Sequence, residues 1–532
     1  MKNYYLQFTF LLVSFTSLAQ SSVVLNTNNV NTMISDDGYF FTNSQVSVHG
    51  YEVPAGSNNH ALYTGSFWIG GYDINGQLKL AAQQYEGNGN DYYQGPLYRY
   101  EANSDSAIAN YFGQTIWKVS KAEIDDHIAN YQSSTYTMPN DIANWPAEGD
   151  SSLGNPGTGM LAYIAPFVDA NGNGVYDPAN GDYPCIKGDL AVYTILNDKG
   201  GLHFSSLADP IGVELHCMFY QYSSIPELEE VTFMDIEVLN MGTQTLFDTR
   251  AGFFLDSDLG NYQDDFIGTD TTRNLVYAYN ADDFDEPSFG FPGYGSAPPA
   301  VGLKLLSHDL HGAVSFTNMG TYPMNDPTFG AEFYHVLDGK YVDGSSQMDG
   351  QGNPTNFSFY GDPNNANEWS EFQMANVPGD RRFVASTDLG SMTPDMSYGA
   401  ANRETITYAI IYAEGTDHLN SVSELQLAAD YVQNHYDNMT SSCFNSQVAG
   451  INEEKEIEFS VYPNPSGGAF TVNLPADQKE ATMEILDAQG RKVHIRAIFS
   501  GENTIETVLE SGIYFLTVTN GQGSAMKRLV IR

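Results

Sequence analysis

The chain has 532 residues, 42% hydrophobic and 13% aromatic but only 16% charged, with 50 Gly and 35 Tyr, a mix that favours strands and turns over helices. It is long enough for several cores, since one core seldom grows past roughly 250 to 300 residues. Lys and Arg number 22 against 65 Asp and Glu, a formal charge of −43 that repels a phosphate backbone and excludes nucleic acid as the expected partner. From Asn452 onward there are 8 basic and 11 acidic residues, leaving 14 and 54 before it, so the body carries −40 and the tail little. Such acidity suits both solubility in salty water and cation binding.

The first stretch, "MKNYYLQFTFLLVSFTSLAQ", places Lys2 before an apolar run from Leu6 to Val13, with Ser17 and Ala19 at −3 and −1 of a cut before Gln20. Residues 1–19 are therefore expected to be an export signal. The run is shorter than the roughly 20 residues of a membrane-spanning helix, no later stretch qualifies, and no Cys follows the cut to take a lipid. Residues 20–188 follow as a β-rich region. In "SFWIGGYDINGQLKLAAQQY", Asn75-Gly76 suits a tight hairpin between two strands, with Trp68 and Ile69 anchoring a core. In "VSKAEIDDHIANY", Ser120 stands three residues before Glu123, a capping box that opens a short helix.

"DANGNGVYDPANGDYP", Asp169 to Pro184, closes this region. Calcium takes six to eight oxygens from a flexible loop, and Asp169, Asn171, Asn173 and Gly174 reproduce positions 1, 3, 5 and 6 of such a loop. Val175 would offer its carbonyl at position 7 and Asp177 its carboxylate at position 9. Position 12 is Asn180 where a bidentate acid belongs, so Asp182 or Asp189 is expected to close the shell. No apolar helix flanks the segment, which points to a calcium loop between strands. The competing reading is a plain turn, because Asn, Asp and Gly build turns without metal.

From residue 189 to 440 strand-like runs recur: "AVYTIL", "VELHCMFYQY", "VTFMDIEVLN", "RRFVAST" and "ETITYAIIYAEG". In the last, Ile406, Tyr408, Ile410 and Tyr412 alternate with Thr405, Thr407 and Ala409, the pattern of a sheet with one buried face, and antiparallel layers follow. "SVSELQLAADYVQNHYDN" reads as a closing helix capped by Ser421 and Glu424. A second acidic knot, "FFLDSDLGNYQDDFIGTD", holds Asp256, Asp258, Asp264, Asp265 and Asp270, which repel one another unless solvated or neutralised by a cation. All five are metal candidates. His203, His216 and the four Trp are expected in structural roles. Of three cysteines, Cys217 lies in an apolar run and reads as a buried thiol, which leaves Cys185 and Cys443 as the better pair. The zinc-protease, nucleophile-elbow, phosphate-loop and dinucleotide signatures are absent, and no catalytic residue is assigned.

Residues 441–458 have a linker's composition, and residues 459–532 read as five or more short strands with Pro, Gly and Asn at the turns. Tyr514, Leu516 and Val518 alternate toward a core. Tyr462-Pro463-Asn464-Pro465, Gly467-Gly468, "FTVNL", "DAQGRKV", "SGIYFLTV" and the terminal "MKRLVIR" together resemble the type IX secretion (Por secretion) C-terminal sorting domain, type A. The resemblance implies a passenger carried across the inner membrane by the signal and across the outer membrane by this tail. It further implies release or attachment to a surface glycolipid. Segments such as "WIGGYDINGQLKLAAQQY", "APFVDANGNGVYDPANGDYPCIKGD" and "DSDLGNYQDDFIGTDTTRNLVYAYN" resemble parts of large secreted surface proteins of the Bacteroidetes kind that carry such tails.

The expected whole is mainly β: an antiparallel β-sandwich body with a few short helices, followed by a small Ig-like β-sandwich C-terminal domain. Its expected role is a non-enzymatic, calcium-stabilised protein at the cell surface or secreted, engaged in adhesion or glycan binding, with the type IX machinery as the tail's partner. The alternatives are a secreted hydrolase of polysaccharide or protein, with its site among the loop acids, and a structural component of a surface layer.

Overall fold

The computed structural model describes residues 22–43, 48–98, 111–149, 159–288, 290–317, 320–394, 403–439, 459–475, 480–486, 492–507, 509, 511–520 and 523–532. The export signal at 1–19, the linker at 441–458 and Cys443 lie outside them. The chain divides into two compact units, Met1–Phe444 and Asn445–Arg532. No boundary falls at residue 188, because strands from before it pair with strands from after it. Thr64–Tyr72 pairs with Leu246–Ser257, and Ile116–Ser120 pairs with Leu190–Asn197.

Two large antiparallel sheets form the centre of the first unit, beside a four-stranded sheet of Ser22–Leu25, Asn31–Ser35, Tyr51–Glu52 and His60–Leu62 and several two-stranded ones. The larger runs, in spatial order, through Ile116–Ser120, Leu190–Asn197, Val213–Gln221, Val231–Asn240, Arg403–Ala413, Ala300–Leu305, Leu275–Asn280 and Asp265–Asp270, with Tyr93–Gln94 also on Leu190–Asn197. The smaller runs through Gly312–Thr317, Arg381–Met392, Leu246–Ser257, Thr64–Tyr72 and Leu78–Ala81. Phe67, Phe253 and Phe383 of the smaller sheet share one core with Phe219, Ile236, Tyr408 and Ile410 of the larger. This is the expected sandwich.

The strand Arg403–Ala413 departs from expectation in one respect. Its second face is buried too: Thr407, Ala409 and Ile411 are covered, the last two packing with Val422, Leu425, Ala429 and Val432 of the helix His418–Asp437. The outer face of the smaller sheet is covered likewise, by Phe333, Val336 and Leu337 of the helix Gly330–Leu337 on Trp68, Phe254 and Val384. Trp68 and Ile69, adjacent in sequence, therefore enter two different cores. Each large apolar side chain so buried contributes about 1.5 to 3 kcal/mol, which is why helices are held against sheets that period-2 alternation alone would leave half wet.

Local signals behave as their chemistry dictates. Asp73 Oδ1 accepts the amides of Asn75 and Gln77, and Gly76 takes φ 75°, closing the hairpin before Leu78–Ala81. Ser120 Oγ accepts the Glu123 amide at 3.2 Å while Glu123 accepts the Ser120 amide at 2.8 Å, capping the helix Lys121–Asn130. The closing helix starts one turn earlier than its sequence suggests. Asp417, not Ser421, is its cap, accepting the Asn420 amide at 2.8 Å. Ser421 instead donates to Pro298 O at 2.8 Å and accepts the Gly415 amide. Cys185 is disulfide-bonded and Cys217 is a free, fully buried thiol.

The second unit pairs a three-stranded sheet, Ser460–Tyr462, Ala469–Leu474 and Gly501–Glu506, with a four-stranded one, Lys492–Phe499, Glu480–Leu486, Gly512–Asn520 and Gly523–Ile531. Phe470, Val472, Met483, Ile485, Leu516 and Val518 fill its core, with Tyr514 packed at the margin.

Candidate functional site

The Asp169 loop is a hairpin connection. The antiparallel pair Phe167–Val168 and Tyr183–Pro184 brings its ends together, and fully buried Asp182 locks them by accepting the amides of Ala170 and Asp177, both at 2.8 Å. Asp169 accepts the amides of Gly172, Asn173 and Gly174 at 2.6, 3.2 and 2.7 Å. Asn171 and Asn173 each accept the amide two residues on, those of Asn173 and Val175. Their side-chain amides, with that of Asn180, converge on Asp177, whose carboxyl is thereby held below the usual range, the Asn180 bond contributing most. Asp169, Asn171, Asn173, Asp177 and Asp182 are thus gathered in one loop with Val175. Asp189 is elsewhere, accepting the amides of Ser223 and Ser224.

The second knot comes apart into three. Asp270 sits at the far end of the strand Asp265–Asp270; burial pushes its carboxyl up, but hydrogen bonds from Thr272 and Arg273 outweigh that and hold it low. It is an ion-pair partner, with Arg273 Nη1 at 2.7 Å, and belongs to neither of the ligand clusters found among the described residues. Asp264 and Asp265 lie toward Asp285; burial and the Asp285 charge push Asp264 up to about 7, while Asp265, fully buried, accepts the Leu259 amide at 3.2 Å. Asp256 and Asp258 join Asp380, a residue that nothing in the local sequence singles out. Among the described residues, two groups of three acidic or histidine side chains bring ligand atoms within 4.8 Å of one another: Asp256, Asp258 and Asp380, and Asp283, Asp417 and His418.

The histidines and tryptophans are largely structural. His216 is buried between Glu214 at 2.7 Å and Glu237 at 2.9 Å; burial lowers its pKa, but the two carboxylates outweigh that and raise it. His203 Nε2 lies 2.7 Å from Asp198 O. Trp68, Trp117 and Trp145 are buried, while Trp369 is partly exposed beside Phe359 and Tyr360.

A cavity of about 600 Å³ opens where the C-terminal half of the helix His418–Asp437 meets the end of the larger sheet. Arg273, Lys304, His308, Asp309, Asp430 and Gln433 are among its lining residues. Arg273 grips Asp430 through Nε at 2.9 Å and Nη2 at 3.0 Å. Lys304 is 3% exposed and donates to Arg273 O, and burial holds its ammonium down to about 8. No sequence pattern marks this cavity, since its walls come from three separated segments.

In the second unit, the two ends of the sorting motif are stitched together. Asn464 donates through Nδ2 to Arg528 O at 2.6 Å and accepts the Val530 amide at 2.9 Å, while the Ser466 amide donates to Val530 O. The Tyr462–Pro465 turn and the terminal strand Gly523–Ile531 thus depend on each other, which explains why both belong to one motif. Residues 487–491 of "DAQGRKV" lie outside the described residues.

Together these features define a two-part, mainly β protein: an acidic sandwich body followed by a small independent sandwich. Residues 460–532 match the family described as the secretion system C-terminal sorting domain. The tail is a type IX secretion sorting domain, and it directs the chain to the cell surface or the extracellular space through the type IX machinery. No curated protein matches the chain significantly. Similar solved structures include a biofilm-associated protein BSP domain, 10% identical with a TM-score of 0.14, over 96% of this chain and 81% of that one. Another is dimeric latent PorU from Porphyromonas gingivalis, 8% identical with a TM-score of 0.12, over 64% and 31%. Both likenesses are too slight to carry an argument. Among the described residues no helix is long and apolar enough to cross a membrane.

Proposed function

We propose that the body is a non-enzymatic, calcium-stabilised module that the tail delivers to the cell exterior, where it binds a hydroxyl-rich ligand of the glycan class. The cavity beside Lys304 carries the binding part of this reading. Its walls hold both donors, Arg273, Lys304 and Gln433, and acceptors, Asp309, Asp430 and Asp437, a mixed lining suited to the many hydroxyls of a sugar. The calcium part rests on the Asp169 spacing and on the hairpin that holds Asp169, Asn171, Asn173, Val175, Asp177 and Asp182 in one turn. Extracellular calcium sites have Kd near 10⁻⁴ to 10⁻³ M, so at ~1 mM calcium one site adds about 0.4 to 1.4 kcal/mol.

The test is a glycan array probed with the purified full chain and with Gln433→Ala, which opens the cavity without touching the Arg273–Asp430 pair. Binding by the parent that the variant weakens tenfold or more supports the reading. Equal binding by both, or none by either, refutes it. For calcium, chelation should lower the melting temperature of the parent and lower that of Asp169→Ala less.

A further inference from the structure

We infer that Asp256, Asp258 and Asp380 form a buried site for one hard divalent cation of the calcium class, tying together the ends of two neighbouring strands of the smaller sheet. It stands independently of the Asp169 loop, with which it shares no residue.

The register of the sheet creates the site. Leu246–Ser257 and Arg381–Met392 pair antiparallel with Asp256 opposite Arg382 and Ser257 opposite Arg381. One step further along, Asp258 just past one strand meets Asp380 just before the other. Each of the three carboxylates offers an oxygen within 4.8 Å of the other two. Calcium binds oxygens at about 2.3 to 2.6 Å, so two of its ligands stand up to about 5 Å apart, and the three carboxylates lie within reach of one such ion.

Charge and hydrogen bonding point the same way. Four carboxylates, Asp256, Asp258, Asp326 and Asp380, surround Arg382, which is 5% exposed. Its Nε donates to the Tyr85 hydroxyl and lies 3.5 Å from Asp256 and 3.7 Å from Asp326, and its Nη2 lies 3.4 Å from Asp380, beyond the length of good charged hydrogen bonds to the acids, so one guanidinium is spread over several carboxylates. Asp256 is 3% exposed; its Oδ2 accepts from Tyr85 at 2.8 Å, but its Oδ1 is buried with no hydrogen-bond partner. A buried carboxylate oxygen without a donor is costly, and a cation is the partner that the surrounding acids favour. Asp258 and Asp380 are only partly buried, which leaves an entry path and room for water to complete the shell.

The experiment counts calcium bound to the full chain by equilibrium dialysis, in the parent, in Asp169→Ala and in Asp258→Asn. Asp258→Asn should lose one equivalent that Asp169→Ala keeps. In chelator Asp258→Asn should melt at or above the parent, since one repelling charge is gone; in 1 mM calcium it should melt below. An unchanged count in Asp258→Asn overturns the inference, and so does an equal drop in melting temperature with and without calcium, which would mean a purely structural carboxylate. Loss of no equivalent in Asp169→Ala would sink only the loop reading. Should Asp258→Asn fold poorly, terbium luminescence excited through tyrosine provides the second measurement. Tyr85 is hydrogen-bonded to Asp256, so in the Asp169→Ala background, which removes the loop site, the signal should be strong, displaced by calcium, and lost when Asp380→Asn is added. Its persistence in that double variant would also overturn the inference.

Discussion

Glu371 ties both layers of the body to one buried side chain, and its replacement by alanine tests the buried polar framework. Glu371 is 2% exposed. Its Oε1 accepts the amide of Ile267 in the larger sheet at 3.0 Å and Arg381 Nε at 3.1 Å. Its Oε2 accepts Arg381 Nη2 at 2.9 Å and Asn376 Nδ2 at 3.2 Å. Arg381, 8% exposed, opens a strand of the smaller sheet, so one carboxylate links both layers to the segment between them. Glu371→Ala leaves a buried guanidinium with only the Val377 carbonyl and a buried amide without an acceptor. Removing one partner of a buried ion pair costs about 3 to 5 kcal/mol. At about 2 cal/mol/K per residue, a body this long unfolds with an entropy of about 0.9 kcal/mol/K, so a loss near 4 kcal/mol lowers Tm by about 4 to 5 °C. Differential scanning calorimetry measures it. Glu371→Gln, which keeps an acceptor for Ile267, should fall between parent and alanine variant, and Glu371→Leu with Arg381→Met should recover most of the loss. A drop below 1 °C for Glu371→Ala would refute the reasoning.

Three further outcomes follow from the structure. Burial pushes Asp37 up to about 6, and burial with the nearby Asp285 pushes Asp264 up to about 7. Folded-state pKa values above the unfolded ones give stability that is complete below about pH 4 and lost as pH rises through 6 to 7, whereas depressed carboxyls such as Asp349, at about 2, act only below that window. In chelator, Tm should therefore fall from pH 4.5 to 8, with a shallower slope in Asp264→Asn; a rising Tm would contradict the assignment. Ser120→Ala removes the acceptor of the Glu123 amide and should cost about 1 kcal/mol, roughly 1 °C in the same calorimeter, with Ser120→Asp close to neutral. Cys217 is fully buried and burial raises its thiol pKa far above normal, so a maleimide should leave it unmodified in the native protein and label it on unfolding; stoichiometric native labelling would show the core to be open.

Much of this was legible in the chain before folding. The Asn75-Gly76 hairpin, the Ser120 cap, the alternation in the strand Arg403–Ala413 and the Tyr462–Pro465 motif all depend on residues within a few positions of one another, and such chemistry survives in one dimension. The Asp169 segment was readable for the same reason, since its acceptors and donors lie within fourteen residues. Where the sequence misled, distant contacts had won: the helix reached back to Asp417 because Ser421 is taken by Pro298 and Gly415, and the alternating strand, packed on the smaller sheet through one face, was covered on the other by that helix.

The export tail, the β class and the acidity of the body can be read from the chain alone, because motif, period and composition need no partner. Which acids meet is set by the fold. Asp256 and Asp258 lie more than a hundred residues from Asp380, and Asp270, close to them in sequence, is drawn away to Arg273. Sheet register sets those neighbours, and register is a property of two strands at once that neither strand carries alone.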